Sequence, residues 1–222
     1  MPNPYQHHWM DGTPIDLPLG KAVCVGRNYA AHARELGNEV PTEPLLFMKP
    51  ASALCSLDAP LVLPKDQGEV HHEVEMVALI GKRLRHADEE EVRFAIEGYG
   101  IGLDLTLRDV QNQLKEKGHP WERAKAFDGA APLSGFIDAR GVSVKQQLKL
   151  SLAINGEIRQ SGHTGLMLFP TFALIAHISQ HFTLEPGDVV FTGTPAGVGP
   201  LRSGDELLMK LGNILIVKGQ VA

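Results

Sequence analysis

Apolar positions along the chain come in short blocks whose period switches between two and three to four residues. "KAVCVG" (21–26) reads as a strand. "NYAAHAREL" (28–36) reads as a helix that stops at Gly37, the residue type that best adopts a left-handed helix end. "GNEVPTEP" is a loop, and "LLFMKP" is a short strand closed by Pro50. After "LVLP" and the turn "KDQG", the stretch "EVHHEVEMVALIGK" (69–82) reads as one buried strand ending at Gly81. "DEEEVRFAIEGY" carries a helix start, with Asp88 as cap, Glu91 three residues on, and Val92, Ala95 and Ile96 on one face. "GYGIGLDLTL" (98–107) is strand-like but rich in glycine, the mark of a bulge or a close backbone approach.

"RDVQNQLKEKG" is a short amphipathic helix, and "SLAINGEIRQSG" is a hairpin about the two-residue turn Asn155-Gly156. "PTFALIAHISQHF" is a helix with Pro170 in its first turn. From 185 to 219 short strands alternate with turns. Strands outnumber helices, and neither a repeat nor a linker interrupts them. The expected architecture is one compact β-rich α+β domain over residues 21–222, with a few helices packed round it. An extended segment rich in proline, glycine and polar residues leads in over residues 1–20.

Composition sharpens this picture in a few places. A chain of 222 residues with 43% apolar content suits one sizeable core. A net charge of −5 without a lysine or arginine cluster argues against nucleic acid or an anionic membrane as partner, and leaves a small anion open. Cys24 and Cys55 have apolar neighbours, the setting of reduced thiols. The N-terminus lacks the basic-then-apolar pattern of a signal peptide, and the greasiest stretch, "LMLFPTFALIAHI", is too short for a span. The expected location is the cytoplasm.

Two acids inside the strand at 69–82 raise the chemical question. Glu73 and Glu75 lie two residues apart, hence on one face, among residues that pack in dry surroundings. Asp104 sits likewise between Leu103 and Leu105. Three carboxylates without cysteine suit a hard dication such as Mg²⁺ or Mn²⁺; His71, on the glutamates' face, would instead favour zinc or iron. The same spacing also fits a half-exposed strand whose polar face carries these acids in water. His32 and Glu35, three apart on a helix, could form a carboxylate-oriented base or a solvated surface pair. Lys125, between alanines, could hold an anion or a developing enolate, or simply reach outward. "GTPAGVG" (193–199) lacks the Gly-Lys-Ser/Thr ending of a nucleotide loop, but its amides and Thr194 could face a carboxylate.

Seven segments taken in order resemble the fumarylacetoacetate hydrolase family, especially its short acylpyruvate hydrolase branch. They are "VGRNYAAHARELG", "PLLFMKP", "VHHEVEMVALIGK", "GYGIGLDLTLRDVQ", "PWERAKAFDGAAPLSGFI", "LAINGEIRQSG" and "LEPGDVVFTGTPAGVGPLRSGDEL". The resemblance implies a mixed β-sandwich roll with a few packed helices and a homodimer. It implies Mg²⁺, or Mn²⁺, held by Glu73, Glu75 and Asp104, and a catalytic pair His32 and Glu35 with Lys125. Arg27, Lys49, Arg108, Gln111 and Thr194 match pocket-lining positions of that family. The implied substrate is a small 2-oxo or 2,4-dioxo acid, and the expected reaction is hydrolysis of the C–C bond of an acylpyruvate. Oxaloacetate decarboxylation or keto–enol exchange, a dioxo-acid hydratase or isomerase, and a non-catalytic binding module are the alternatives.

Overall fold

The computed structural model of the protein describes residues 5–143 and 147–222. The first four residues of the expected entry segment lie outside the described residues. The remainder folds back at a turn in which Trp9 N donates to Thr13 O. That turn docks on the body through Trp9 and Phe136, and the His7 imidazole, 0% exposed, donates to Gly187 O at 2.9 Å.

Strand β1 (Ala22–Gly26) turns Ala22 and Cys24 to one apolar cluster and Val23 and Val25 to another, so it is buried on both faces. Helix α1 (Ala30–Glu35) follows and ends before Gly37, whose φ is 66°. Then come β2 (Leu45–Lys49) and β3 (Leu54–Ser56). The expected single strand over 69–81 is two, β4 (Val70–His72) and β5 (Val74–Ile80). Helix α2 (Glu89–Ala95) has the expected reciprocal cap between Asp88 and Glu91, but Ile96 already opens β6 (Ile96–Leu103). After β7 (Thr106–Leu107) come α3 (Arg108–Glu116), α4 (Glu122–Lys125), β8 (Ala131–Leu133) and β9 (Ile137–Asp138). Strands β10 (Lys149–Ile154) and β11 (Glu157–His163) close over Asn155 and Gly156, both at positive φ as a type I′ turn demands. Helix α5 (Thr171–His181) starts just after Pro170 rather than around it. The chain ends in β12 (Val189–Phe191), β13 (Gly199–Pro200), β14 (Glu206–Leu211) and β15 (Leu215–Gln220).

Eight strands form one mixed sheet in the order β2-β1-β12-β5-β6-β8-β3, with β9 beside β6. A four-stranded antiparallel sheet, β11-β10-β14-β15, packs against β5 and β6. Between the two sheets lies the larger apolar cluster, including Met76, Ile101, Leu152 and Met209. Such a curled, two-layered arrangement with few helices matches the expected β-sandwich roll.

The break in the strand at 69–81 has a physical cause. Beyond Glu73 and Asp104 the pair β5–β6 leaves the large sheet, and β4 and β7 pair instead in a small third sheet with β13. At the crossing Asp104 N donates to Glu73 O at 2.9 Å, while Val74 N donates to the side chain of Gln160 at 3.0 Å. These contacts come from residues far away in sequence, so no local pattern announces them. The acids thus stand where two strands change sheets together.

Candidate active site

Three carboxylates converge at that crossing. Glu73, Glu75 and Asp104 each offer an oxygen within 4.8 Å of the others, and all three side chains are buried. The half-exposed alternative is therefore excluded. Side-chain cations answer two of the three. Arg108 Nη2 donates to Glu73 Oε1, and Lys125 Nζ donates to Glu73 Oε2 at 3.0 Å and to Asp104 Oδ2 at 2.6 Å. Thr106 Oγ1 accepts a further bond from Lys125 at 2.7 Å, and the ammonium lies 5.0 Å from the Phe47 ring centroid. Burial alone would raise the Glu73 carboxyl, but Lys125 and Arg108 overcome it and hold Glu73 well below the usual carboxylate range. Conversely, Asp104 and Glu73 outweigh burial at Lys125 and raise its ammonium.

Glu75 is different. Its Oε2 accepts one hydrogen bond, from Gly193 N at 2.5 Å, and it makes no ion pair among the described residues. Burial, then Asp104 and Glu73, push its carboxyl well above the usual range. Asp104 Oδ1 takes no hydrogen bond either, although Lys49 Nζ stands 2.7 Å away as an ion pair. An under-neutralised buried carboxyl and an unbonded carboxylate oxygen, in an all-oxygen donor set, fit a hard divalent cation held by Glu73, Glu75 and Asp104.

His32 lies on the wall of the same cleft, 4% exposed, on the short helix α1. Its Nδ1 donates to Glu35 Oε2 at 3.3 Å, which leaves Nε2 as the basic nitrogen. Glu35 is fixed in turn by Gly197 N, 2.9 Å from Oε1. The amides of the glycine-rich loop therefore do face carboxylates, but the protein's own: Gly193 serves Glu75 and Gly197 serves Glu35. Both glycines are obligatory. Their φ values are 96° and 102°, and a Cβ would stand 2.5 Å from Asn28 Cβ at the first and 1.9 Å from Arg159 O at the second.

The other expected residues divide. Arg27, Arg108, Gln111 and Thr194 line the cleft, which encloses about 400 Å³ including the solvent at its mouth. Gln111 accepts from Arg108 Nη1 at 2.6 Å and so orients the guanidinium that meets Glu73. The Thr194 hydroxyl is already engaged, donating to Val74 O and accepting from Gln160, both at 2.8 Å. Lys49 does not line the cleft. It lies 0% exposed behind Asp104, with Nζ donating to Leu105 O at 3.2 Å, to Ala130 O at 2.9 Å and to Lys125 O. Its ammonium is a buried strut whose three N–H donors all go to main-chain carbonyls, with Asp104 Oδ1 alongside as an ion pair, so no donor is left for a ligand.

Sequence reasoning missed Lys115, Trp121 and Gln160. Lys115 and Trp121 line the cleft, and Lys115 follows Arg108 and Gln111 at the i, i+3, i+7 spacing of one helix face. That periodicity was available. Nothing local marks Gln160, which is 0% exposed and bonds Val74 N, His72, Thr194 and Pro195 O.

A curled mixed sheet with a buried acidic cluster and a carboxylate-bound imidazole in one cleft defines an enzyme of a recognisable kind. The chain belongs to the fumarylacetoacetate hydrolase family: the model described as "Fumarylacetoacetate (FAA) hydrolase C-terminal" matches residues 21–222. It is 58% identical over 204 residues to the oxaloacetate tautomerase YcgM of Escherichia coli (strain K12), covering 91% of this chain and 93% of that one. Over 188 residues it is 43% identical to a mitochondrial oxaloacetate decarboxylase of Dictyostelium discoideum, covering 84% and 86%. The fumarylpyruvate hydrolase from Pseudomonas aeruginosa, solved in complex with Mn²⁺ and pyruvate, superposes with a TM-score of 0.91 at 35% identity, covering 100% and 97%. These likenesses overturn the expectation of acylpyruvate hydrolysis. The hydrolase, at 35% identity, is the more distant relative.

Proposed function

We propose that the protein interconverts the enol and keto forms of oxaloacetate. The observation that carries this reading is the 58% identity, over nine-tenths of the chain, to an oxaloacetate tautomerase. The cleft suits it, because keto–enol exchange needs a base beside a carbon and positive charge beside an oxygen, and no attacking water. His32 Nε2 takes the proton from C3 of the keto form while Glu35 holds the resulting imidazolium in place. The electron pair of that C–H bond becomes the C2–C3 π bond, the carbonyl π pair moves to the oxygen on C2, and His32 returns the proton there to complete the enol. In the reverse direction the same nitrogen carries the proton from oxygen to carbon. Glu73, Glu75 and Asp104 would hold a divalent cation, Mg²⁺ in this reading with Mn²⁺ as substitute, which would supply Lewis-acid charge to the developing enolate. Lys125 and Arg108 supply fixed positive charge beside it. Leu36, Leu45, Phe47 and Trp121 form the apolar part of the wall and limit water.

Decarboxylation is a second reading, favoured by the 43% identical decarboxylase and by the shared enolate. We include in the proposal that residues 21–222 act as one catalytic unit and that the protein works as a homodimer. The half-buried Leu46 and Met48 on edge strand β2 provide apolar surface for such a contact.

The test adds freshly dissolved enol oxaloacetate to the protein with Mg²⁺ and follows loss of the enol absorbance, with products identified by NMR. The proposal expects faster ketonisation without carbon dioxide, and His32→Ala reduces it to the buffer rate. Carbon dioxide and pyruvate as the enzyme-dependent products would transfer the assignment to the decarboxylase. Enol decay no faster than in buffer would remove the proposal.

A further inference from the structure

The cations on the cleft floor, Arg108 and Lys125, and Lys49 behind it are already paired with the floor's acids. Arg108 is bound to Glu73, Lys125 to Glu73 and Asp104, and Lys49 to Asp104. Two further cations, Arg27 and Lys115, line the same cleft, and neither forms an ion pair among the described residues. Both are half-buried. Arg27 is held at φ 62°, a left-handed conformation that a side-chain-bearing residue rarely adopts. Lys115 Nζ sits 5.3 Å from the ring centroid of Trp121, so its charge is backed by an aromatic face rather than by a carboxylate.

Like charges sharing a partly desolvated cleft are unfavourable, and Lys115 registers this: burial, then Arg27, Arg108 and Lys125, push its ammonium down to about 8. An anion brought by a ligand would relieve the strain that the chain itself leaves in place. The site also has a direction. Helix α3 sets Arg108, Gln111 and Lys115 in one row, with Lys115 about 10 Å further along the axis than Arg108. A ligand whose oxo-acid head meets the floor beside Arg108 therefore directs its far end toward Lys115.

We propose that Lys115, with Arg27 beside it, receives the second carboxylate of a four-carbon dicarboxylate and so sets the preference for oxaloacetate over oxo acids with neutral tails. This deepens the tautomerase reading and rests on it for the identity of the head group. Lys115 is a specificity-determining residue here; the proton is moved elsewhere.

The experiment compares enol oxaloacetate with its 4-methyl ester, which keeps the head and neutralises the tail. Full-length protein with Mg²⁺ is used as wild type, Lys115→Gln and Lys115→Arg. A charge-assisted contact to a carboxylate is worth about tenfold or more in affinity. Lys115→Gln is expected to raise KM for oxaloacetate about tenfold, with kcat within about twofold and the ester's KM unchanged. Lys115→Arg is expected to restore the preference. Equal rises in both KM values, or no change in their ratio, would overturn the proposal. Calorimetric binding of both compounds is run in parallel. If the wild type binds the dianion more tightly than the ester, and Lys115→Gln loses that difference, the receptor stands even where no turnover is seen and the tautomerase reading has failed. If wild type and Lys115→Gln discriminate equally, the receptor is wrong whatever the turnover.

Discussion

The four-stranded sheet and the acidic crossing lie on neighbouring parts of β5 and β6, yet they are held together by opposite means. In the sheet, Leu150, Leu152, Leu207, Met209 and Leu211 put apolar surface against the large sheet, and two of the three strand pairings join neighbours in sequence. At the crossing, three cations, Lys49, Arg108 and Lys125, pair with two of the three acids, Glu73 and Asp104, and Glu75 is left over. Apolar packing contributes stability and tolerates modest change. A buried charge network contributes little net stability while making each member costly to remove alone. Stability and chemistry are thus assigned to different sides of the same strands.

Four measurements break or sharpen this contrast. The largest effect is expected for Glu75→Gln, which keeps an acceptor for Gly193 N but removes a charge that no cation neutralises. Activity should fall by a factor of about 100–1,000, as the cation that would stabilise the enolate charge loses one of its three carboxylates. The metal-free protein should gain on the order of 1 kcal/mol, or ~2–4 °C in Tm. Activity retained near the wild-type level would remove Glu75 from the site.

Lys49→Met comes next. It leaves Asp104 and three carbonyls without their ammonium, and denaturant unfolding should show a loss of about 3–5 kcal/mol. A variant as stable as wild type would show the strut to be dispensable. Leu152→Ala, in the centre of the four-stranded sheet, should cost about 2–5 kcal/mol while kcat and KM stay as they are. A change in kcat there would mean that the two regions are coupled after all. The smallest effect lies outside both, at His7. Burial is the main cause that depresses its imidazole below 6.5, with the Gly187 carbonyl opposing in part. Below pH 6.5 the unfolded chain takes up a proton that the folded chain resists, so stability falls as pH drops from there toward the folded value. His7→Gln should flatten that part of the Tm–pH curve, and an unchanged slope would place the titration elsewhere.

The same division explains what could be read from the residues alone. The Asn155-Gly156 hairpin, the Asp88–Glu91 cap and the two-faced burial of β1 are short-range features written in adjacent positions. Glu73, Glu75 and Asp104 were conspicuous because acids among valines and leucines are out of place. Their convergence depends on Asp104 N reaching Glu73 O across two strands, and the break at Glu73 depends on Gln160 from a distant hairpin. Lys49 was expected in the cleft only because the family resemblance implies a pocket-lining residue there, and the structure places it behind Asp104 instead. Its partners are backbone carbonyls of three other segments, which leave no trace in the surrounding residues.

The glycine loop carries one consequence further. Five consecutive residues, 193 to 197, grip Glu75 at one end and Glu35 at the other by main-chain N–H groups. The spacing between the proton carrier and the acidic trio is therefore gauged by peptide geometry, as by a ruler of fixed length, and side-chain drift elsewhere leaves it unaltered. One extra residue inserted within that loop would preserve every functional group and still put the two halves of the machinery out of step.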